Sequence, residues 1–584
     1  MKMITYRVDI PDPHTHQFHV TLELPQPAAE QRLSLPVWIP GSYMVREFGR
    51  HLSQLQARQG TREVALEQLD KTTWLARCQG RATLTLSYRV YAFDTSVRTA
   101  FLDAQRGFFN GTSLFLRAEG REAGPHRVRL GALPKGWEVA TGMRGAGKGQ
   151  YEAADYDELV DHPFELGRFW RGRFEAAGVP HEFVVAGALP GFDGDRLLAD
   201  TRRICEAQIA FWHGASGSKG ATEPPFERYV FMLNAVEDAY GGLEHRASTA
   251  LIFPRRELPR RHHAALTDGH VRLLGLISHE YFHTWNVKRL KPSEFARLDY
   301  TRENYTQLLW FFEGFTSYYD DLFLVRSGLI DEGRYLKLLG TTLTGVNGTP
   351  GRKVQSVAQA SFDAWVKYYR ADENTPNATV SYYTKGSLVA LALDLTLRAA
   401  GKGHLDALMR RLWARSGGGP VSEDELCAEL QAMAGRSAVE SLKRWVHGTD
   451  DLPLAELLKR FGIALREDPA NGLANDLGVK LSEGPVSGVQ VKSVLRGGAA
   501  ERAGISPGDE LLAVQGWRIR RLDDAQAWLA PGEPFELLLV RDQRVLTLRV
   551  VPPEPGGAAR TVSLALADKT PQSAAALRRA WLQG

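Results

Sequence analysis

Cysteine is scarce in this chain: Cys78, Cys205 and Cys427 are the only three among 584 residues. An odd and scattered set builds neither a disulfide framework nor a cysteine-based zinc knuckle, so reduced and mostly buried thiols are expected. Long apolar runs are missing too. Nowhere do about 18 apolar residues follow one another, and the opening MKMITYRVDIPDPHTHQF has no apolar core of signal-peptide length, which points to a cytoplasmic protein with no membrane association. Nor is there an excess of either charge. With 72 Lys+Arg against 68 Asp+Glu the net charge is +4, too small to argue for nucleic acid or an anionic membrane as partner. The basic run Arg255 to His263 reads as a solvated loop, and no internal repeat is present.

What remains is an ordinary globular composition, 43% hydrophobic and 24% charged, in a chain too long for one core. Up to about residue 170, ITYRVDI, HQFHVTLEL, RLSLPVWI, ATLTLSYRVYAF and HRVRLGAL alternate like strands between Pro and Gly turns, the pattern of an antiparallel β-sandwich. Within it, Pro36 to Tyr43 (PVWIPGSY) and Phe108 to Thr112 (FFNGT) are denser in Gly and aromatics than strand turns require; they fit either loops facing a catalytic domain or structural turns. Leu197 to Trp212 then reads as an amphipathic helix. Arg228 to Val236 and Ser248 to Phe253 read as strands, with Glu237 to His245 between them. From residue 264 helices dominate, among them Gln307 to Arg326 and Tyr382 to Ala399, while Gly345 to Val354 and Ala371 to Ala378 read as loops. Strands followed by a run of helices make a multidomain α+β protein.

The chemistry is concentrated in His279-Glu280-Tyr281-Phe282-His283. On a helix the two histidines lie one turn apart on one face and can converge on a single metal ion, with Glu280 beside it. The preceding Val271, Leu273, Leu274, Leu276 and Ile277 make that helix a buried one, where two histidines and a glutamate without a metal would be unfavourable. Zinc suits two imidazoles and one carboxylate, because a coordination position stays open for water. The third ligand expected is Glu313, a lone glutamate among Trp310, Phe311, Phe312 and Phe315.

HEYFH followed by WFFEGFTSYY resembles the gluzincin zinc metallopeptidases. Residues 284 to 312, 29 positions, separate His283 from Glu313, more than in the well-known aminopeptidase pattern. The added HTWNVKRLKP stretch, with PVWIPGSY and a PDZ-like segment, makes the chain similar to the glycyl aminopeptidase family of gluzincins. The PDZ resemblance rests on AAERAGISPGD leading into the strand ELLAV. These likenesses imply four parts: an N-terminal β-sandwich over residues 1–170, a thermolysin-like, mostly helical zinc peptidase domain over 171–465, a PDZ domain over 466–555, and a linker with a helical tail over 556–584. They imply one Zn²⁺ per chain on His279, His283 and Glu313, with Glu280 as general base. Gly241-Gly242-Leu243-Glu244-His245 resembles the GAMEN exopeptidase motif, so Glu244 is expected to bind the free amine of a peptide and Gly241 and Gly242 to border its backbone; His245 stands where that motif has asparagine. Tyr383-Thr384-Lys385-Gly386 resembles the segment whose tyrosine stabilises the oxyanion, with Tyr382 and Lys385 as nearby alternatives.

The activity implied is removal of small N-terminal residues, Gly or Ala, from peptides with a free N-terminus. An endopeptidase in which Glu244 is structural, and a PDZ-centred scaffold with a vestigial metal site, are the competing readings. For the PDZ segment, Leu477, Gly478 and Val479 could offer backbone N–H groups to a peptide carboxylate, or the domain could pack on the rest of the chain as an intramolecular partner.

Overall fold

The protein is described by a computed structural model covering residues 2–215, 217–218, 220–553 and 559–584. Residues 554–558, at the start of the expected linker after Pro552, lie outside it. Two compact units are present: Met1–Tyr305 with Ser416–Val421, and Thr306–Arg415 with Ser422–Gly584.

The first unit begins as its alternation predicts. In Ile4–Asp9 and Gln17–Leu24 every second side chain is buried, placing Tyr6, Val8, Phe18, Val20 and Leu22 in one core. Both strands belong to an eight-stranded sheet, accompanied by two four-stranded sheets. One pairing departs from the antiparallel expectation: Ile4–Asp9 runs parallel to His126–Leu130. Those strands are not joined by a hairpin, and only a hairpin would force them to oppose. The hydroxyls of Tyr88, Tyr156 and Tyr6, all buried, donate to the carbonyls of Leu114, Phe115 and Leu116. They pin the chain just after Phe108–Thr112, where the strand Arg106–Phe109 passes into the short helix Gly111–Leu114.

Next comes a five-stranded sheet in the order Trp170–Ala176, Val179–Ala186, Tyr229–Val236, Ser248–Pro254, Gly241–Glu244. The middle three strands are parallel, and Gly241–Glu244 returns antiparallel along the edge. Here the sequence carries the GAMEN-like motif, while its glycine pair hides the strand from the hydrophobic pattern. The helices Gly194–His213 and Asp268–Phe282 pack together, and Gln208 Nε2 donates to the carbonyl and hydroxyl of Ser278 at 2.8 and 2.9 Å.

The second unit contains the expected helices, including Glu332–Asn347, Thr384–Ala399, Glu423–Ala434 and Arg436–His447. Gln307 to Arg326 is not one helix but two, Leu309–Phe312 and Gly314–Arg326, meeting at Glu313. The expected loops hold short helical pieces, Pro350–Lys353 and Thr375–Ala378, each begun by a proline in its first turn. A small β-domain follows with its own apolar core, built on Val479–Gly484, Gly488–Val494, Glu510–Val514, Phe535–Arg541 and Arg544–Val550. Beyond it Arg560–Leu566 pairs antiparallel with Ile463–Pro469. The terminal helix Gln572–Gln583 buries Trp581 completely, its indole donating to the Tyr318 hydroxyl at 2.8 Å. All three cysteines are free and buried. Among the described residues no helix is long and apolar enough to cross a membrane.

Candidate active site

The helix Asp268–Phe282 starts at Thr267, whose hydroxyl accepts from the His270 N–H, and buries Leu273, Leu274, Leu276 and Ile277. That packing fixes the direction of its last turn. His279 lies there and His283 caps the end, with their Nε2 atoms 3.0 Å apart. His283 Nδ1 lies 2.7 Å from the carbonyl of Asn286, which can only accept, so the proton sits on Nδ1 and Nε2 offers its lone pair. The carbonyl is held in place by an unusual backbone. Val287 has φ 121°, an outlier for a β-branched residue, and its N–H is bonded to Leu290 O at 2.7 Å. One group of three or more His, Cys, Asp and Glu side chains among the described residues is spaced to hold a metal ion: the ligand atoms of His279, His283 and Glu313 all lie within 4.8 Å of one another.

Glu280 is buried, and the edge strand Gly241–Glu244 passes close beside it. A Cβ on Gly242 would fall 2.0 Å from Glu280 Oε1, so only glycine permits the approach. The Gly242 carbonyl accepts from Arg98 at 3.2 Å. Two residues along the strand Glu244 is buried as well, its carboxylate against the backbone of Gly41 in the PVWIPGSY stretch. At φ +92° a Cβ on Gly41 would lie 2.5 Å from Glu244 Oε1. The dense glycine and aromatics of that stretch therefore serve to bring a loop of the N-terminal domain onto Glu244.

His245, in the motif's asparagine position, faces Asp161 at 3.3 Å, and Lys288 donates to the same carboxylate at 2.6 Å. Burial alone would raise the Asp161 pKa, but Lys288 and His245 together hold it well below the ordinary carboxylate range. Burial keeps His245 below its ordinary value despite that neighbour. This knot ties the segment after the histidines to the N-terminal domain. Asp161 lay in no motif, and Lys288, though inside the HTWNVKRLKP stretch, was given no role there.

In the second unit Glu313 is buried at the joint between two short helices, its N–H bonded to Leu309 O at 2.7 Å and its carbonyl accepting from Ser317 N–H at 2.8 Å. Gly314 lies against Gly386, where an added Cβ would be 2.5 Å from the Gly386 Cα. The two motif glycines thus let the Glu313 helix touch the one that begins after Tyr383. Burial, then the nearby Glu313 charge, raises the Tyr383 pKa well above its ordinary value, so the phenol keeps its proton to donate. Tyr383 is half-buried with its hydroxyl 3.2 Å from that of Tyr369, whereas Tyr382 is fully buried. Lys385 lies against Arg352 O at 3.4 Å and lines a separate cavity with Asp451. In the β-domain Leu477 is a core residue and the Gly478 N–H already bonds to Ala474 O at 3.0 Å as a helix cap, so that N–H is not spare for a ligand. Val479 begins an edge strand whose outer side pairs with no other strand among the described residues.

Residues 5–168 match the Peptidase M61 N-terminal domain, 272–389 match M61 glycyl aminopeptidase, and 490–541 match a PDZ domain. A crystal structure of an aminopeptidase N family protein from Idiomarina loihiensis is 36% identical over 99% of this chain and 100% of that one, with a TM-score of 0.92. The M1 zinc metallopeptidase from Deinococcus radiodurans aligns over 78% of this chain and 95% of its own, at 17% identity and a TM-score of 0.47. No curated protein matches the chain.

Proposed function

This chain belongs to the M61 glycyl aminopeptidase family and is a zinc aminopeptidase, and from that premise we propose which of its residues carry the reaction. His279, His283 and Glu313 hold one Zn²⁺. Two imidazole nitrogens and one carboxylate oxygen brought together, with the His283 proton held on Nδ1, are a donor set that would fit Zn²⁺. When bound, the ion supplies Lewis acidity toward the scissile carbonyl and toward water. Glu280 accepts the proton of the attacking water at its carboxylate and passes it to the leaving amine. The Tyr383 hydroxyl donates a hydrogen bond to the carbonyl oxygen as charge develops there.

Glu244 takes the substrate's α-ammonium, and the outer edge of Gly241–Glu244 pairs with its backbone. The observation that carries this reading is the contact of Gly242 with Glu280. Through it the strand bearing the amine anchor runs beside the general base, as cleavage one residue from the N-terminus requires. Glu244 and Gly41 also line a cavity of about 50 Å³, room for about three to five water molecules, which limits the first residue to one with a small side chain or none. The buried free thiols agree with a reducing, cytoplasmic setting. In the PDZ domain the outer edge of Val479–Gly484 is where an extended peptide would add.

The test of mechanism is Glu280→Gln. Zinc content by elemental mass spectrometry should equal the parent's, while turnover of alanyl-aminomethylcoumarin falls by about 10²–10⁴-fold. Near-parental turnover in the zinc-loaded variant removes Glu280 from the mechanism.

A further inference from the structure

The cavity beside Glu244 is small, yet it is not apolar. Its walls include Trp38 and Phe295, but also Asp157, Asp161, Arg246, Lys288 and Lys291. Most of these charges are accounted for. Asp161 accepts from Lys288 at 2.6 Å and lies 3.5 Å from the Arg246 guanidinium, and Asp157 accepts from the Tyr300 hydroxyl at 2.9 Å. Lys291 is different: among the described residues its ammonium has no hydrogen bond and no ion pair, although the residue is only partly exposed. Burial, then the neighbouring Arg246 and Lys288, push its pKa down from the ordinary value, with Asp161 and Asp157 opposing. A cation so placed gains by the arrival of an anion.

We propose that Lys291 is a specificity-determining residue of the pocket for the substrate's first side chain, and that it makes N-terminal aspartate a preferred substrate over its neutral isostere asparagine. The inference rests on the assignment of Glu244 as amine anchor. The α-ammonium then neutralises Glu244, and the side chain leaving the same Cα enters a space that takes about three to five water-sized groups. A carboxymethyl group, with four heavy atoms, fills it with its charge toward Lys291. Gly and Ala fit without using the lysine, and a lysine or arginine side chain meets both a size limit and a like charge.

The experiment compares kcat/KM for aspartyl-, asparaginyl- and alanyl-aminomethylcoumarin on the zinc-loaded full chain and its Lys291→Met and Lys291→Arg variants. Wild type should prefer Asp to Asn by about tenfold, equivalent to about 1.4 kcal/mol. Lys291→Met should reduce that ratio to one or below with the Ala rate within about threefold of parent, and Lys291→Arg should keep it. Alanyl substrate cleaved with an Asp:Asn ratio at or below one in wild type, or a ratio that Lys291→Met leaves intact, overturns the proposal and spares the aminopeptidase reading. Failure to cleave any of the three removes the assigned anchor and the proposal with it. Thermal melting of both variants separates a lost charge from a lost fold.

Discussion

Glu244 and Glu280 are both buried carboxylates, and each is approached by a glycine that no other residue could replace without displacing it. The contact therefore sets where each oxygen lies, which matters because a charge-assisted hydrogen bond depends on geometry as much as on charge. Removing Glu244 should cost the substrate's ammonium a partner worth about 1.5–3 kcal/mol. Glu244→Ala is expected to lower kcat/KM for alanyl-aminomethylcoumarin by about 10- to 150-fold at unchanged zinc content, and a parent-like value would reduce Glu244 to a structural residue. His279, Glu280, His283 and Glu313 were legible in the sequence because their chemistry needs scarce residue types at short helical spacing or in conspicuously aromatic company. Gly41 was not, since its role exists only where the chain folds back onto a residue far along the sequence. The pairing of Asp161 with Lys288 was invisible for the same reason. Val287 was unreadable too: a valine at φ 121° stores about 1–3 kcal/mol of strain, tolerated where it holds Asn286 against His283 and Lys288 against Asp161.

Among the elements, the crossing of the helices around Gly314 and Gly386 decides how near Glu313 comes to Tyr383. Added at residue 314, a methyl group would meet backbone and not the end of a flexible side chain, so the helices must part. Gly314→Ala should destabilise the protein by about 1–3 kcal/mol, seen as a lower melting temperature, and should reduce turnover along with it. Melting and turnover like the parent's would mean that the crossing yields without strain. Periodicity found the long helices here and missed short ones such as Val357–Phe362 and Leu454–Arg460, and it ran Gln307 to Arg326 together, because nothing in the hydrophobic pattern marks a joint whose purpose is to present one side chain. It also missed Gly241–Glu244 and Arg560–Leu566. The first is disguised by two glycines. The second is mostly exposed, with Val562 its one buried residue, and it owes its existence to a partner strand and to Thr344, whose hydroxyl accepts from the Val562 N–H at 2.8 Å.

Taken whole, the second unit is more than a helical layer with an appended domain. Asn377, just before the Tyr383 segment, donates to Val494 O at 2.8 Å and accepts from Arg496 N–H at 2.9 Å, so one amide joins the PDZ domain to the helices. The terminal helix closes on the same layer through Trp581, while Arg326 and Arg398 donate to the carbonyls of Trp581 and Ala580 at 3.1 and 2.7 Å. The Asn377 contact packs the PDZ domain on the helices of its own unit, while the outer edge of Val479–Gly484 pairs with no other strand among the described residues. The roles proposed for Glu244 and Glu280 together require one activity of the chain, cleavage that begins only at a free amine. Mass spectrometry of one alanine-starting peptide, supplied free and N-acetylated to the zinc-loaded enzyme, tests that directly. Stepwise loss of residues from the free peptide alone is the predicted result; internal cleavage of both peptides would contradict the anchoring role of Glu244 and make the enzyme an endopeptidase.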